Sequence, residues 1–233
     1  LHFAKAELLV EIGRFTEAAR LYEELYAQQH DFAGVNLAAR LAEVYRAGAA
    51  YETALDYYMK ALEDDVTADL LFGSAYAAFQ VEKYDTAILQ LEDLKELDPD
   101  YFSAYLLLAQ SYGMQEQNDK AYTAILEGIA RDEYDKSLFL YAGKMALKNS
   151  LPQQAEDHLQ QALALDPEYM EAALVLMSLY AQQERDEEVI ALYEDLNRND
   201  FDWTALYPFV AKAHVNLEQY KEAAAYYDEA YRD

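Results

Sequence analysis

The residues that could carry out chemistry in this chain are its four histidines and its many carboxylates. No two of His2, His30, His158 and His214 are three or four residues apart, so no pair shares a helix face as a helical metal site requires. The sequence contains no cysteine, which removes disulfides, thiolate zinc sites and cysteine nucleophiles. It also lacks a glycine-rich phosphate loop and a Gly-x-Ser-x-Gly nucleophile turn. His214 occupies a helical packing position, and we interpret it as a core residue.

Adjacent carboxylates such as Asp64-Asp65 and Glu187-Glu188 have a simpler explanation than catalysis. A catalytic pair needs a dry pocket that separates the two pKa values. With 44 acidic residues among 233, adjacent acids are expected on solvated helix faces. The sequence therefore predicts no catalytic residue, metal site or cofactor, and a hydrolase or transferase is the least favoured class of function.

The charge balance also narrows the choice of partner. Eighteen basic residues against 44 acidic ones give a net charge of −26, which would repel nucleic acid and anionic lipid. The longest apolar stretch, Leu174–Ala181, is interrupted by Ser178 and is too short to span a bilayer. No signal peptide is visible, so we expect a cytoplasmic location. The chain starts at Leu1 rather than Met, and we interpret it as a fragment of a longer protein.

The elements that would position any site follow from a repeat. A small residue followed four positions later by a large apolar one recurs at intervals of 36, 33, 34, 34, 34 and 34 residues, at Ala18, Ala54, Ala87, Ala121, Ala155, Val189 and Ala223. Twelve positions before each lies a second residue, small in six of the seven cases: Ala6, Ala42, Ala75, Ala109, Gly143, Met177 and Ala211. This pattern predicts seven pairs of helices that cross at the small residues.

Several local features refine this prediction. The turn inside a pair is predicted at Gly13-Arg14-Phe15, and the equivalent turns are Ala49-Ala50-Tyr51, Glu82-Lys83-Tyr84 and Glu218-Gln219-Tyr220. Met177 and Val189 are too large for a close crossing, so the helices of the sixth pair should separate or slide. Pro208 predicts that the next helix starts late, near Leu206, or is kinked.

The repeat resembles the tetratricopeptide repeat family, whose unit is a helix–turn–helix of 34 residues. The residues that carry the resemblance are Ala54-x3-Tyr58-x2-Ala61, Ala155-x3-Leu159-x2-Ala162 with Pro167, and Ala223-x3-Tyr227-x2-Ala230. The family's characteristic Trp is absent, because the one Trp, Trp203, lies between repeats. The resemblance implies an all-α, right-handed superhelical solenoid of antiparallel helix pairs, forming a single array with repeats at about 1–32, 35–67, 68–101, 102–135, 136–169, 170–203 and 204–233.

The resemblance also implies that the first helices line a concave groove that binds ligands. Two features of the groove positions are unusual: an aromatic stripe on one helix, and basic residues without acids from the fourth repeat onward. The candidate groove residues are Phe72, Tyr76, Phe79, Gln80, Gln110, Met114, Lys144, Lys148, Gln182, Lys212 and Asn216. The alternatives are that Phe72 or Phe79 packs against a neighbouring repeat, and that the lysines are ordinary solvated residues.

We therefore predict a non-enzymatic scaffold for protein–protein interaction that binds a peptide segment or partner helix in the groove. The expected ligand has an apolar anchor followed by acidic residues. The alternative is a regulatory or targeting array of a larger protein whose activity lies in another domain. We also expect self-association through an uncapped last repeat, where Ala223, Tyr226 and Ala230 would expose apolar surface.

Overall fold

Helices account for the regular secondary structure of the residues that the computed structural model describes, which are 2–28, 34–198 and 201–230. The first helices of the seven pairs are α1 (His2–Glu11), α3 (Leu37–Ala47), α5 (Ala68–Gln80), α7 (Ser103–Met114), α9 (Lys136–Lys148), α11 (Met170–Gln182) and α13 (Tyr207–Asn216). The second helices are α2 (Phe15–Ala27), α4 (Tyr51–Asp64), α6 (Tyr84–Leu97), α8 (Asn118–Arg131), α10 (Pro152–Leu165), α12 (Asp186–Leu196) and α14 (Tyr220–Ala230). The prediction of an all-α chain of seven helix pairs is confirmed.

The chain separates into two compact units, Leu1–Ala124 and Ile125–Asp233. The first unit contains α1 to α7 and the start of α8, and the second contains the end of α8 and the helices from α9 to α14. Within each unit, a helix packs mainly against the helices that precede and follow it in sequence. Stacking of this kind buries the apolar faces that one pair could not bury alone.

Small residues at the crossings explain why the helices of a pair can approach closely. Ala6 and Ala18 in the first pair are fully buried, as are Ala42 and Ala54 in the second. At Gly143 the approach is closer still, because an added Cβ would lie 2.7 Å from Cγ of Leu159. A side chain larger than glycine at that position would force α9 and α10 apart.

The turn inside each pair has the same backbone conformation. One residue of each turn has a positive φ, of 74° at Gly13 and of 57–60° at Ala49, Glu82, Glu116, Ser150, Glu184 and Glu218. The N–H group of the next residue donates to the carbonyl five residues earlier, as from Lys83 to Ala78 over 2.9 Å. This is the Schellman motif, which satisfies carbonyls at a helix end. The turn positions predicted from sequence are confirmed, and the four second helices that follow them begin at the aromatic residues Phe15, Tyr51, Tyr84 and Tyr220.

The sixth pair is more loosely packed, as predicted. Met177 and Val189 are both fully buried at the crossing. Far fewer residues of α11 and α12 lie close to one another than in the other helix pairs whose contacts are described. The two bulky side chains therefore hold the helices apart.

The seventh pair begins with a short 3-10 turn at Thr204–Leu206, which leads directly into α13 at Tyr207. Pro208 lies in the first turn of α13, where its missing N–H group costs no helical hydrogen bond. The predicted late start of this helix is confirmed. Trp203, just before the 3-10 turn, is almost fully buried and packs against Phe201 at a ring-centroid distance of 4.7 Å.

The expectation that Ala223 and Tyr226 expose apolar surface is wrong. Ala223 is buried, and Tyr226 is half-buried with its ring 5.4 Å from that of Tyr193 and 5.5 Å from that of Tyr207. These residues face α12 and α13, so they complete the core of the second unit. Ala230 is half-buried.

Candidate functional site

The aromatic stripe of α5 lies in the first unit, and each of its rings packs against another ring. Phe72 lies 5.1 Å from Tyr101 between ring centroids, and the corresponding distance from Phe79 to Tyr84 is 5.5 Å. Tyr76 contacts Tyr51 at 5.9 Å. All three stripe residues are half-buried. The stripe therefore contributes to packing within the stack and is only partly accessible to a ligand.

The remaining candidates of the first unit are less enclosed. Gln80, at the end of α5, is exposed, and Gln110 on α7 is half-buried. Met114, one turn after Gln110, has 57% of its surface exposed. An exposed thioether is an adaptable apolar contact, and Met114 is the most accessible apolar residue among the candidates of this unit.

A polar cluster that the sequence did not predict lies on the neighbouring helices α3 and α4. The hydroxyl of Tyr58 donates to the carboxylate of Glu43, and Arg46 donates to Glu43 over 2.6 Å and to the Tyr58 hydroxyl over 3.0 Å. Burial raises the pKa of Tyr58, and the hydrogen bond to Glu43 raises it further. These hydrogen bonds connect α3 to α4. They also occupy the carboxylate, guanidinium and hydroxyl groups that a ligand could otherwise contact.

In the second unit, the lysines of α9 differ in their surroundings. The ammonium group of Lys144 pairs with Glu171 at the start of α11, and both side chains remain partly exposed. Lys148, one turn later, is exposed and has no ion-pair partner among the described residues. Ion pairs between exposed side chains contribute only about 0–1 kcal/mol, so a ligand carboxylate can compete with Glu171.

An apolar hollow of about 220 Å³ lies beside these lysines, between α9 and α11. Its lining consists of Leu147, Leu174, Val175, Ser178, Leu179 and Gln182. Gln182 was a candidate from the sequence, and its amide donates to the Ser178 hydroxyl over 3.1 Å. Lys144 lies one turn before Leu147 and one turn before Lys148 on α9, so both lysines lie close to the rim of the hollow. We call the hollow together with these two lysines the first-helix face.

The last candidates lie on α13. The amide of Asn216 donates to the carboxylate of Asp186 over 2.9 Å, which joins α13 to the start of α12. Lys212, one turn earlier, is exposed. Asn216 thus has a structural partner, whereas Lys212 is available to a ligand.

The other residues with chemical potential have structural roles. His214 is 8% exposed, its Nδ1 lies 2.6 Å from Oε1 of Gln219, and its ring stacks on Tyr226, so the interpretation as a core residue is confirmed. Burial lowers the pKa of His158, which packs beside Phe139. His30 lies outside the described residues. In the described part of the chain, no group of three or more His, Asp or Glu residues could hold a metal ion.

No helix among the described residues is both long enough and apolar enough to cross a bilayer.

Antiparallel helix pairs that recur about every 34 residues, without strands in the described chain, define an all-α repeat protein. A family model described as "Tetratricopeptide repeat" matches residues 146–213. The TPR repeat-containing protein YpiA of Bacillus subtilis is 37% identical over 231 residues, which are 99% of this chain and 55% of that protein. The chain belongs to the tetratricopeptide repeat family, and it spans about half the length of this curated relative.

Solved structures show the same fold. The C-terminal part of a TPR repeat-containing protein from Cytophaga hutchinsonii superposes with a TM-score of 0.79 and 15% identity, covering 98% of this chain and 93% of that one. YrrB, described as a TPR protein with an unusual peptide-binding site, gives a TM-score of 0.64 and 20% identity, covering 78% of this chain and 90% of that one. At these identities the likeness concerns the fold. The repeat fold makes this chain a scaffold for protein–protein interaction, and such repeats are generally non-enzymatic.

Proposed function

We propose that the first-helix face of α9 and α11 binds a peptide segment of a partner protein. The observation that carries this proposal is an apolar hollow of about 220 Å³ that is lined by Leu147 of α9, the helix that also bears Lys144 and Lys148, in a chain with a net charge of −26. An apolar anchor side chain fills the hollow, and acidic residues beside the anchor pair with the two lysines. YrrB supports peptide binding as a use of this fold, since it is described as having a peptide-binding site.

Electrostatics give the face its selectivity. Lysines at the edge of an interface discriminate between ligands and guide their approach more than they add affinity. Lys148 offers an exposed ammonium group to the ligand. Lys144 releases the carboxylate of Glu171 and pairs with a carboxylate of the ligand instead. A basic peptide has no such exchange available on this face and meets two like charges.

The test compares two double variants with the same net charge. Lys144→Glu with Lys148→Glu reverses the charge of the face, whereas Lys83→Glu with Lys221→Glu makes the same change at exposed positions elsewhere. Binding of an acidic peptide, selected from a display library and labelled with a fluorophore, is followed by anisotropy. We expect the first variant to bind at least about tenfold more weakly and the control to bind within about twofold.

Salt dependence provides a second readout. Between about 0.1 and 0.5 M salt, the Debye length falls to a few ångströms, so the lysine contacts are screened in the wild type. We expect the dissociation constant of the wild type to rise with salt and that of the Lys144→Glu, Lys148→Glu variant to stay level or fall, because salt screens the repulsion between the reversed face and the acidic peptide. Equal affinity and equal salt dependence in both double variants would refute the proposal.

The alternative, a regulatory or targeting array within a larger protein, stays a hypothesis. The chain spans 55% of the length of YpiA, so the activity and partners of a whole protein of that length are not determined by these repeats alone.

A further inference from the structure

A second and larger cleft lies in the same unit, between the second helices α10 and α12. Its volume is about 600 Å³, which is within the range of pockets that bind ligands. The first helix α11 forms the floor through Leu176 and Tyr180, which are 1% and 5% exposed. The apolar walls consist of Leu163, Ala164, Pro167, Ala191, Leu192 and Leu196. We call this surface the α10–α12 cleft.

The cleft exists because α12 lies away from α11. Met177 and Val189 occupy the crossing where other pairs have small residues. Few residues of α11 and α12 therefore lie close to one another. In the preceding pair, Gly143 allows α10 to lie directly against α9. The helix α10 thus lies close to α9, whereas α12 is displaced from α11. This difference leaves a gap between α10 and α12, beside Leu163 and Leu192.

A polar network fixes α12 at its first turn, so the gap is part of a defined arrangement. Arg185, which precedes α12, donates to both carboxylate oxygens of the buried Glu156 on α10, over 2.6 and 3.1 Å. The hydroxyl of Tyr180 donates to the same carboxylate over 2.9 Å, and the guanidinium lies 4.3 Å from the centroid of the Tyr180 ring. Arg185 also donates to Glu188 over 3.0 Å. The network joins α10, α11 and α12 at one end of the cleft.

The two helices that form the walls of the cleft are acidic. The helices α10 and α12 contain seven acidic residues and no Lys or Arg. Glu188 and Asp195 lie on the lining itself. The arginines at the two ends of α12 are already paired, Arg185 as described and Arg198 with Asp195 over 2.9 Å. The Asp195–Arg198 pair is exposed and therefore weak.

We infer that the α10–α12 cleft binds a basic, apolar segment of a partner protein. One or two aliphatic or aromatic side chains of this segment enter the cleft between Leu163 and Leu192, and Lys or Arg residues beside them pair with Glu188 and Asp195. This site is separate from the first-helix face and has the opposite charge preference. The chain therefore holds two different segments, one acidic and one basic, within the same unit.

The probes are two synthetic peptide libraries with Leu or Phe at the anchor positions. One library has Lys or Arg at the remaining positions, and the other has Asp or Glu. The tightest binder from the basic library is labelled and titrated by fluorescence anisotropy against the wild type, Ala191→Lys and Ala224→Lys. Ala191 is an exposed wall residue of the cleft, whereas Ala224 is exposed on α14 and lines no cleft described here, so the control carries the same substitution.

We expect Ala191→Lys to weaken binding of the basic peptide at least tenfold and Ala224→Lys to leave it within twofold. Ala164→Lys, on the opposite wall, should have the same effect as Ala191→Lys, which keeps the test valid if one variant does not fold. The inference fails if neither library binds, or if the basic peptide binds both wall variants as tightly as the wild type.

A further variant separates this inference from the proposed function. Lys144→Glu with Lys148→Glu alters the first-helix face and leaves the α10–α12 cleft unchanged. We expect it to bind the basic peptide with the wild-type dissociation constant while losing the acidic peptide. A large change in affinity for the basic peptide would place that peptide on the first-helix face and overturn the inference.

Discussion

At the scale of single residues, the pair formed by Glu156 and Arg185 makes the sharpest prediction. Glu156 is 8% exposed, and the hydrogen bond from Arg185 lowers its pKa although burial opposes the shift. Glu156→Gln keeps the shape of the side chain and leaves Glu188 as the one remaining carboxylate partner of the guanidinium. Because Arg185 retains some contact with water, we expect the free energy of unfolding to fall by about 2 kcal/mol at neutral pH.

The stability difference between the wild type and Glu156→Gln should depend on pH in a definite direction. A carboxyl group whose pKa is lowered in the folded protein stabilises it above the ordinary carboxyl pKa, and the stabilisation is lost as the pH falls through the lowered value. The difference between wild type and Glu156→Gln, measured by urea unfolding, should therefore shrink as the pH falls below about 4. Glu187→Gln, at an exposed position of α12, should change stability by less than about 0.5 kcal/mol throughout. A difference that stays constant with pH would show that the charge pair is not its cause.

The sequence predicted residue positions better than residue partners. The repeat register placed Lys144, Lys148 and Gln182 on first helices, because one register fixes the outward face of every unit. It could not identify Glu171 as the partner of Lys144, since that contact depends on how far adjacent pairs are rotated and on side-chain rotamers. The same limitation concealed the rings that pack against Phe72 and Phe79.

At the scale of the helix pair, the turns are the feature that sequence reasoning described least completely. Four of their positions were predicted, but in the seven turns inside the pairs six of the residues with positive φ are not glycine. Nothing in an Ala, Glu or Ser at such a position signals the left-handed conformation, because the Schellman hydrogen bonds that impose it belong to the backbone. The separation of α11 from α12, in contrast, could be predicted from Met177 and Val189, because side-chain volume directly limits the crossing distance.

These turns predict opposite effects for one substitution at two sites. Ala49 has a φ of 57°, which is unfavourable for a residue with a Cβ, so Ala49→Gly should raise the free energy of unfolding by about 0.5–1 kcal/mol. Ala224 is an exposed residue inside α14, where Ala224→Gly should lower it by about 1 kcal/mol. Urea unfolding of both variants measures the difference. Destabilisation of the same size at both sites would mean that strain in the turn is negligible.

At the scale of the whole molecule, a net charge of −26 should act on folding and on binding in different ways. Self-repulsion destabilises the compact state, and added salt screens it, so the melting temperature should rise between about 0.01 and 0.2 M salt. The composition alone is sufficient for this expectation. The location of the proposed α10–α12 site, in contrast, required the structure, because the acids of α10 and α12 look like ordinary solvated residues in the sequence.

The same charge predicts how quickly the two kinds of ligand associate. At about 0.01 M salt the Debye length is about 30 Å, so an approaching peptide is influenced by most of the chain, whereas at 0.1 M it is about 10 Å and local charges dominate. A basic peptide is attracted by both the whole chain and the α10–α12 cleft, so its association rate should fall steadily as salt is added. An acidic peptide is repelled by the whole chain but attracted by Lys144 and Lys148. Its association rate should therefore rise up to about 0.1 M salt and fall beyond it.

Stopped-flow fluorescence with the two selected peptides measures both curves, and the Lys144→Glu, Lys148→Glu variant serves as the control in which the acidic peptide loses its local attraction. If the rate for the acidic peptide falls from the lowest salt onward, the local field of the two lysines already exceeds the repulsion of the other charges at long range, and the net charge does not govern access to this face.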